Sequence, residues 1–227
     1  MKKISITALV IIILLLVFAS LFIFRFIGTW ENFMNDMKSR IRKRNSPISN
    51  LERKQKIKDL VAKIVPVIEK GGVNIWAEFG TLLGIIRGGD VICYDYDADF
   101  CTLSRDWPIL KKVLRKFMSE NKDYDWGFVD LPLIKNAVVR NKKTGAYMDI
   151  AVRGLKGSKT YRKVPLFEKE IPFGAIFPLQ RRKLPETDIY ISLPCSPPVL
   201  LRSWYGDNYM IPDKKCDEEC ESCVKNT

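Results

Sequence analysis

The chain opens with an uncharged run from Ile4 to Phe24, interrupted only by the hydroxyls of Ser5, Thr7 and Ser20. As a helix this run spans about 30 Å, the thickness of a bilayer's hydrocarbon core. The apolar part of a cleaved signal peptide is shorter, about 7 to 15 residues, and ends at small residues; this one ends Phe24-Arg25-Phe26. Residues 1–28 therefore read as a retained transmembrane signal anchor, with Trp30 and nearby phenylalanines at the interface. Residues 29–48 read as a basic stalk.

Beyond the stalk the apolar positions change period. Ser49 and Glu52 have the spacing of a capping box, and Ile57, Leu60, Val61, Ile64, Val65 and Ile68 follow at helical intervals until Gly71-Gly72. This predicts an amphipathic helix kinked at Pro66. Val73–Phe79 reads as a short strand, Leu82–Arg87 as a turn of helix, and Val91–Thr102 as a second strand. Asp106 and Pro108 open a helix through about Ser119. The segments 137–140 and 146–152 flank Asn141-Lys-Lys-Thr-Gly145, which suits an antiparallel hairpin. Seven prolines between 165 and 198 imply loops and short strands there, with a last helix over Val199–Tyr205. The fold class is α+β: a mixed sheet flanked by helices over residues 49–212.

Composition narrows the chemistry. With 47% apolar and 28% charged residues the chain folds rather than staying disordered. With no histidine, imidazole bases, Ser-His-Asp triads and histidine zinc sites are excluded. The net charge of +12 is uneven: residues 1–60 hold 12 Lys/Arg against 4 Asp/Glu. The runs Arg40 to Arg44 and Arg53, Lys54, Lys56, Lys58 thus read as membrane-proximal charge, and no nucleic-acid partner is expected.

The candidate chemistry sits in Tyr94-Asp95-Tyr96-Asp97-Ala98-Asp99-Phe100. On a strand, alternation sends all three carboxylates to one face, about 7 Å apart. Such like charges repel unless cations neutralise them, and hard oxygen ligands suit Mg²⁺ or Mn²⁺. A solvated edge strand protected from aggregation would use the same charges. Asp149, alone among apolar residues in Tyr147–Ala151, also needs a partner or a metal. Gly80 and Thr81 begin a helical turn whose N–H groups suit a phosphate, with Arg87 within reach of the same anion.

The string Phe79-Gly80-Thr81-Leu82-Leu83-Gly84-Ile85-Ile86-Arg87, followed by Asp95, Asp97 and Asp99, resembles the LicD/fukutin family of the nucleotidyltransferase superfamily. Ile176-Phe-Pro-Leu179 and Tyr205-Gly-Asp207 match shorter signatures of that family, while Cys93-Tyr94 replaces its usual Pro-Trp. The resemblance implies a nucleotidyltransferase-like fold. It also implies a metal-dependent phosphotransferase, moving a phosphocholine or pentitol phosphate from a CDP-activated donor to a glycan hydroxyl. Asp97 and Asp99 would hold metal, with Asp95 beside them and Asp149 as third ligand or as the base that accepts the acceptor's proton. Gly80 and Thr81 would hold donor phosphate. Two alternatives use the same fold: nucleotidyl transfer with release of pyrophosphate, and an inert membrane-anchored scaffold.

Four aromatics, Trp76, Trp126, Trp204 and Tyr205, are candidates for stacking on a base or sugar and equally for core. Arg181, Arg182 and Lys183 form a candidate acceptor patch. Six cysteines suit an oxidising compartment. Cys216, Cys220 and Cys223, in an acidic tail over 213–227, suit disulfides or, with Cys195, a structural Zn²⁺. The expected placement is type II in the Golgi or endoplasmic reticulum with the domain lumenal, although the sequence offers no glycosylation sequon.

Overall fold

The chain divides into two units, residues 1–47 and 48–227. The computed structural model describes residues 49–130, 134–164 and 167–212, with backbone alone for 163–164 and 167–168. The expected anchor, stalk and cysteine-rich tail lie outside these residues. Among the described residues no helix is long and apolar enough to cross a membrane.

Helix α1 (Asn50–Lys70) starts where the sequence predicts, with the Ser49 hydroxyl accepting the Glu52 N–H at 3.2 Å. The reciprocal half of the capping box is absent: the Glu52 carboxylate instead accepts from Lys56 Nζ at 2.6 Å. The helix runs on through Pro66, whose ring is exposed. Its charged run also departs from the expectation. Lys54 and Lys58 lie four apart, on one helical side, and face inward. Lys54 meets Asp90 at 2.6 Å, and the fully buried Lys58 meets Asp90 at 3.3 Å and Glu186 at 2.7 Å. These two lysines bind the domain together instead of extending the stalk's charge.

Strand β1 (Ile75–Ala77) is shorter than its apolar run, because Phe79, at φ +47°, turns the chain into helix α2 (Phe79–Gly88). Strand β2 (Asp97–Leu103) begins six residues later than predicted. A turn closed by Asp95 N–H to Ile92 O, 3.1 Å, occupies the residues before it. A 3₁₀ turn (Ser104–Asp106) leads into α3 (Trp107–Glu120), and three strands follow: β3 (Tyr124–Asp130), β4 (Lys135–Asn141) and β5 (Tyr147–Lys156).

The main sheet runs in the order β1-β2-β5-β4-β3. Only the β2–β5 pair is parallel; the others are antiparallel. A parallel pair requires a long crossover, which α3 and the β3–β4 hairpin supply. Ala98, Phe100, Met148, Ile150, Ala137 and Val139 are buried with the apolar sides of α1 and α3, where Leu60, Ile64, Leu110 and Leu114 are fully enclosed. Burying each such side chain stabilises the fold by about 1.5–3 kcal/mol before entropy is subtracted. Alternation then commits Asp97, Asp99 and Asp149 to the opposite face.

Two further pieces cover part of that second face. The hairpin of β6 (Lys159–Val164) and β7 (Phe167–Pro172) extends from β5. Gly154 permits this docking: a Cβ there would stand 2.3 Å from the Tyr161 ring. A single helical turn, α4 (Phe173–Ile176), a two-stranded sheet of β8 (Gln180–Lys183) and β9 (Tyr190–Leu193), and helix α5 (Pro197–Tyr205) complete the domain.

Candidate metal and phosphate site

The parallel register places Asp99 beside Asp149, Asp97 beside Tyr147, and Cys101 beside Ala151. Thus the two carboxylates that the sequence puts on separate strands share one row. Asp95 is off the strand, in the preceding turn, yet one oxygen each from Asp95, Asp97 and Asp99 lies within 4.8 Å of the others. The turn, and not strand alternation, brings Asp95 in. It is held by its own Oδ1 accepting the Tyr96 N–H at 2.9 Å.

Gly80 and Thr81 support this cluster from α2. The Gly80 N–H donates to Asp99 Oδ2 at 3.1 Å, and Thr81 Oγ1 accepts the Asp99 N–H at 2.8 Å. Expected as phosphate ligands, both are here engaged in fixing Asp99. A Cβ on Gly80 would stand 2.5 Å from Asp95 Oδ2 and 3.2 Å from Asp99 Oδ2, so the missing side chain is what lets the carboxylates close over the helix start.

Crowding of like charges shows in their acidity. Burial, then the Asp97 charge, pushes the Asp95 carboxyl up from an ordinary 3.8 to about 7. Asp99 is raised well above its ordinary value by burial and by Asp97, Asp95 and Asp149. Burial first, then the charges of Asp99 and Asp95, also raises the Tyr205 hydroxyl. A hard divalent cation would relieve the repulsion, and an all-oxygen donor set suits Mg²⁺ or Mn²⁺. These residues fit such an ion.

A second buried group lies next to the site and was not singled out from sequence. Glu78 and Arg153, both without exposure, form an ion pair: Arg153 Nε donates to the two Glu78 oxygens at 3.1 and 3.2 Å, and Nη2 bonds Oε1. The indoles of Trp76 and Trp204 donate to the same carboxylate at 3.1 and 3.2 Å. Burial alone would raise the Glu78 carboxyl, but Arg153 and then Arg162 hold it below its usual value. The one sequence signal was an acid ending an apolar strand and an arginine inside another.

The other candidates separate. Arg87 donates to the carbonyls of Tyr209 and Ile211 at 2.6 and 3.0 Å, so it fastens the segment after α5. Arg181 grips Glu69 through both nitrogens and reaches Ser192 Oγ at 2.8 Å, while Arg181, Arg182 and Lys183 of the expected patch are all exposed. Trp76 is core, and Trp204 packs on Phe79 with ring centroids 4.6 Å apart. Trp126 stacks on Phe128, on the face opposite Asp149. Cys195 is a free thiol whose Sγ meets Gly174 O at 3.1 Å. Cys93 is disulfide-bonded, and the possible zinc ligands Cys216, Cys220 and Cys223 lie outside the described residues.

The family described as "LicD/FKTN/FKRP, nucleotidyltransferase domain" matches residues 72–195, more than half of the chain, including Glu78, Asp95, Asp97, Asp99 and Asp149. Ribitol 5-phosphate transferase FKRP of Mus musculus and that of Homo sapiens are each 44% identical to this chain over 43 residues, 19% of this chain and 9% of theirs. The similarity to these relatives thus spans about a tenth of their length. Among solved structures, ANT(2")-Ia in complex with adenylyl-2"-tobramycin aligns over 73% of this chain and 86% of its own, at 10% identity and a TM-score of 0.46. Vibrio cholerae DncV cyclic AMP-GMP synthase with nonhydrolyzable GTP aligns over 63% and 52%, at 12% identity and a TM-score of 0.27.

Proposed function

The chain belongs to the LicD/FKTN/FKRP family of nucleotidyltransferase domains, and from that premise we propose that it is a metal-dependent phosphotransferase. In this reading it transfers a phosphorylated alcohol, of the phosphocholine or pentitol phosphate type, from a CDP-activated donor to a glycan hydroxyl. The observation that carries the proposal is the convergence of Asp95, Asp97 and Asp99 within 4.8 Å, with Asp149 in register beside Asp99. Mutually repelling carboxylates held by dedicated backbone bonds are costly in a fold that has no cation to place there.

Asp95, Asp97 and Asp99 would hold Mg²⁺ or Mn²⁺, which when bound offsets charge developing on the diphosphate and its leaving nucleotide. Gly80 and Thr81 keep Asp99 aimed into the site. Asp149 lies one strand away from Asp99 and is assigned the acceptor's hydroxyl proton, a role that suits a carboxylate set at the edge of the metal-holding cluster.

The domain is assigned to the lumen of the Golgi or endoplasmic reticulum, behind an anchor over residues 1–28. The uncharged Ile4–Phe24 run and the disulfide at Cys93 support this assignment, since disulfides persist in oxidising compartments.

Product analysis tests the reaction. The full chain with Mn²⁺, CDP-ribitol or CDP-choline and a glycan acceptor should release CMP. Pyrophosphate released from CTP would assign nucleotidyl transfer instead, and turnover in neither assay would leave the inert scaffold.

A further inference from the structure

Among the described residues, strand β3 is bonded on one side only. It ends the sheet path, and it pairs with β4 in unbroken register from Tyr124 opposite Asn141 to Asp130 opposite Lys135, with no bulge. The outer edge of such a strand presents a row of backbone N–H and C=O groups, which proteins commonly defend with proline, lysine or a bulge. Tyr124-Asp-Trp-Gly-Phe-Val-Asp130 carries none of these. Its two acids are held within their own chain: Asp125 accepts from Arg140 Nε at 3.0 Å, and Asp130 pairs with Lys111 at 2.6 Å and with Lys135. Gly127, at the centre, is exposed, and a Cβ built on it would meet nothing within 4 Å.

The side chains add an apolar ledge on the α3 side of this edge. Trp126 and Phe128 stack with ring centroids 5.1 Å apart, and Phe128 is 45% exposed. The order of residues suits the same strand running antiparallel. Residues directly opposed in a sheet share a face, and a slip of one flips every side chain to the other face. A two-fold axis perpendicular to the sheet must therefore be centred on a residue. Centred on Gly127, it pairs the whole strand: Trp126 opposes Phe128 of the second copy, Tyr124 opposes Asp130, and Asp125 opposes Val129. No like charges meet, and each aromatic finds another, a favourable cross-strand pair. Centred on Trp126 the paired span shrinks to 124–128, and centred on Phe128 to 126–130.

We propose that the β3 edge is a homodimer interface, at which two copies of this chain join edge to edge about Gly127. The path β1-β2-β5-β4-β3 of one copy then continues into that of the second, with both α3 helices on one side and the Trp126–Phe128 pairs meeting between them. The acids of the strand are already neutralised at home, so a foreign basic segment finds little charge to bind there, whereas a second copy supplies matching aromatics and a matching backbone edge. Joining in the plane of the sheet leaves the face that carries Asp97, Asp99 and Asp149 open in both copies.

The test uses the full chain in mild detergent, oxidised gently, with disulfide-linked peptides read by mass spectrometry. On the axis the two copies of position 127 stand about 4.5–5.5 Å apart, within the span of a disulfide. The two copies of position 129 are more than about 13 Å apart, at about 3.4 Å per residue. Gly127→Cys should therefore yield peptides joined through position 127 at least about tenfold more than Val129→Cys yields peptides joined through 129. Adding Phe128→Glu sets a carboxylate against the opposing indole, and should cut the yield through 127 at least about tenfold. The circular dichroism spectrum should stay unchanged, since Lys111, 5.6 Å from the Phe128 ring centre, can meet the new carboxylate within its own copy. A folded Gly127→Cys chain that does not join through 127 overturns the proposal. Equal yields through 127 and 129, or a yield that Phe128→Glu leaves unchanged, overturn it as well.

Discussion

Asp99 and Asp149 are register partners on parallel strands, so the sheet itself sets two carboxylates side by side. A third residue extends the row: Glu78 donates its N–H to Asp99 O at 3.0 Å, just past the end of β1. The row divides by partner. Glu78 is neutralised internally by Arg153, whereas Asp99 faces Asp95, Asp97 and Asp149. Structural charge and the charge proposed to hold a cation are thus adjacent, and substitutions should tell them apart.

Asp97→Asn removes one repelling charge. The metal-free fold should become more stable, by about 1 kcal/mol, while divalent-cation affinity and turnover fall by at least about a hundredfold. Denaturant melts in EDTA and Mn²⁺ titration check the two halves. A loss of stability in EDTA would mean that Asp97 has a structural partner worth more than the repulsion.

The raised pKa of Asp95 gives a pH signature with a definite sign. A carboxyl whose folded value, about 7, exceeds its ordinary 3.8 favours the fold fully below about pH 4 and loses that contribution as pH rises toward 7. In EDTA, therefore, Asp95→Asn should gain stability relative to wild type between pH 4 and 7. Saturating Mn²⁺ should abolish or reverse the difference, as melting curves across that range would record.

Gly80→Ala places a methyl group 2.5 Å from Asp95 Oδ2. The carboxylate must move, so turnover and Mn²⁺ affinity should fall by at least about tenfold, with a stability change of only about 1–2 kcal/mol. Unchanged Mn²⁺ affinity would show that Asp95 is not a ligand.

Glu78→Gln leaves a buried guanidinium without its counter-charge, and should destabilise the domain by about 3–5 kcal/mol. Replacing both partners, Glu78→Gln with Arg153→Met, should recover a large part of that loss. Equilibrium unfolding of the single and double variants measures it. Equal losses in single and double variants would count against the ion pair as the cause.

Much of this was readable from sequence because it is local. The Ser49 cap, the apolar spacing of α1, the Asn141–Gly145 turn between β4 and β5 and the carboxylates of 95–99 each lie within a few residues. β3 was missed, since Tyr-Asp-Trp-Gly-Phe-Val-Asp mixes apolar and polar residues on an edge strand with no fully buried side chain. Pairings between distant segments were not readable either. Arg153 finds Glu78 from 75 residues away, and Arg87 and Arg181 reach carbonyls and carboxylates more than a hundred residues off, where isolated arginines suggest anion sites. Asp95 reaches Asp97 and Asp99 through the turn at 92–95, where strand alternation was expected to bring it.

The central claim, a carboxylate-held divalent cation that admits a cytidine nucleotide, is tested most directly by melting the full chain with Mn²⁺, with and without CDP, beside Asp97→Ala. Stabilisation by CDP should require Mn²⁺ and disappear in the variant, reaching about 2.7 kcal/mol at a hundredfold excess over the dissociation constant. A wild-type melting curve unmoved by Mn²⁺ and CDP together, or an equal shift in Asp97→Ala, would contradict the account.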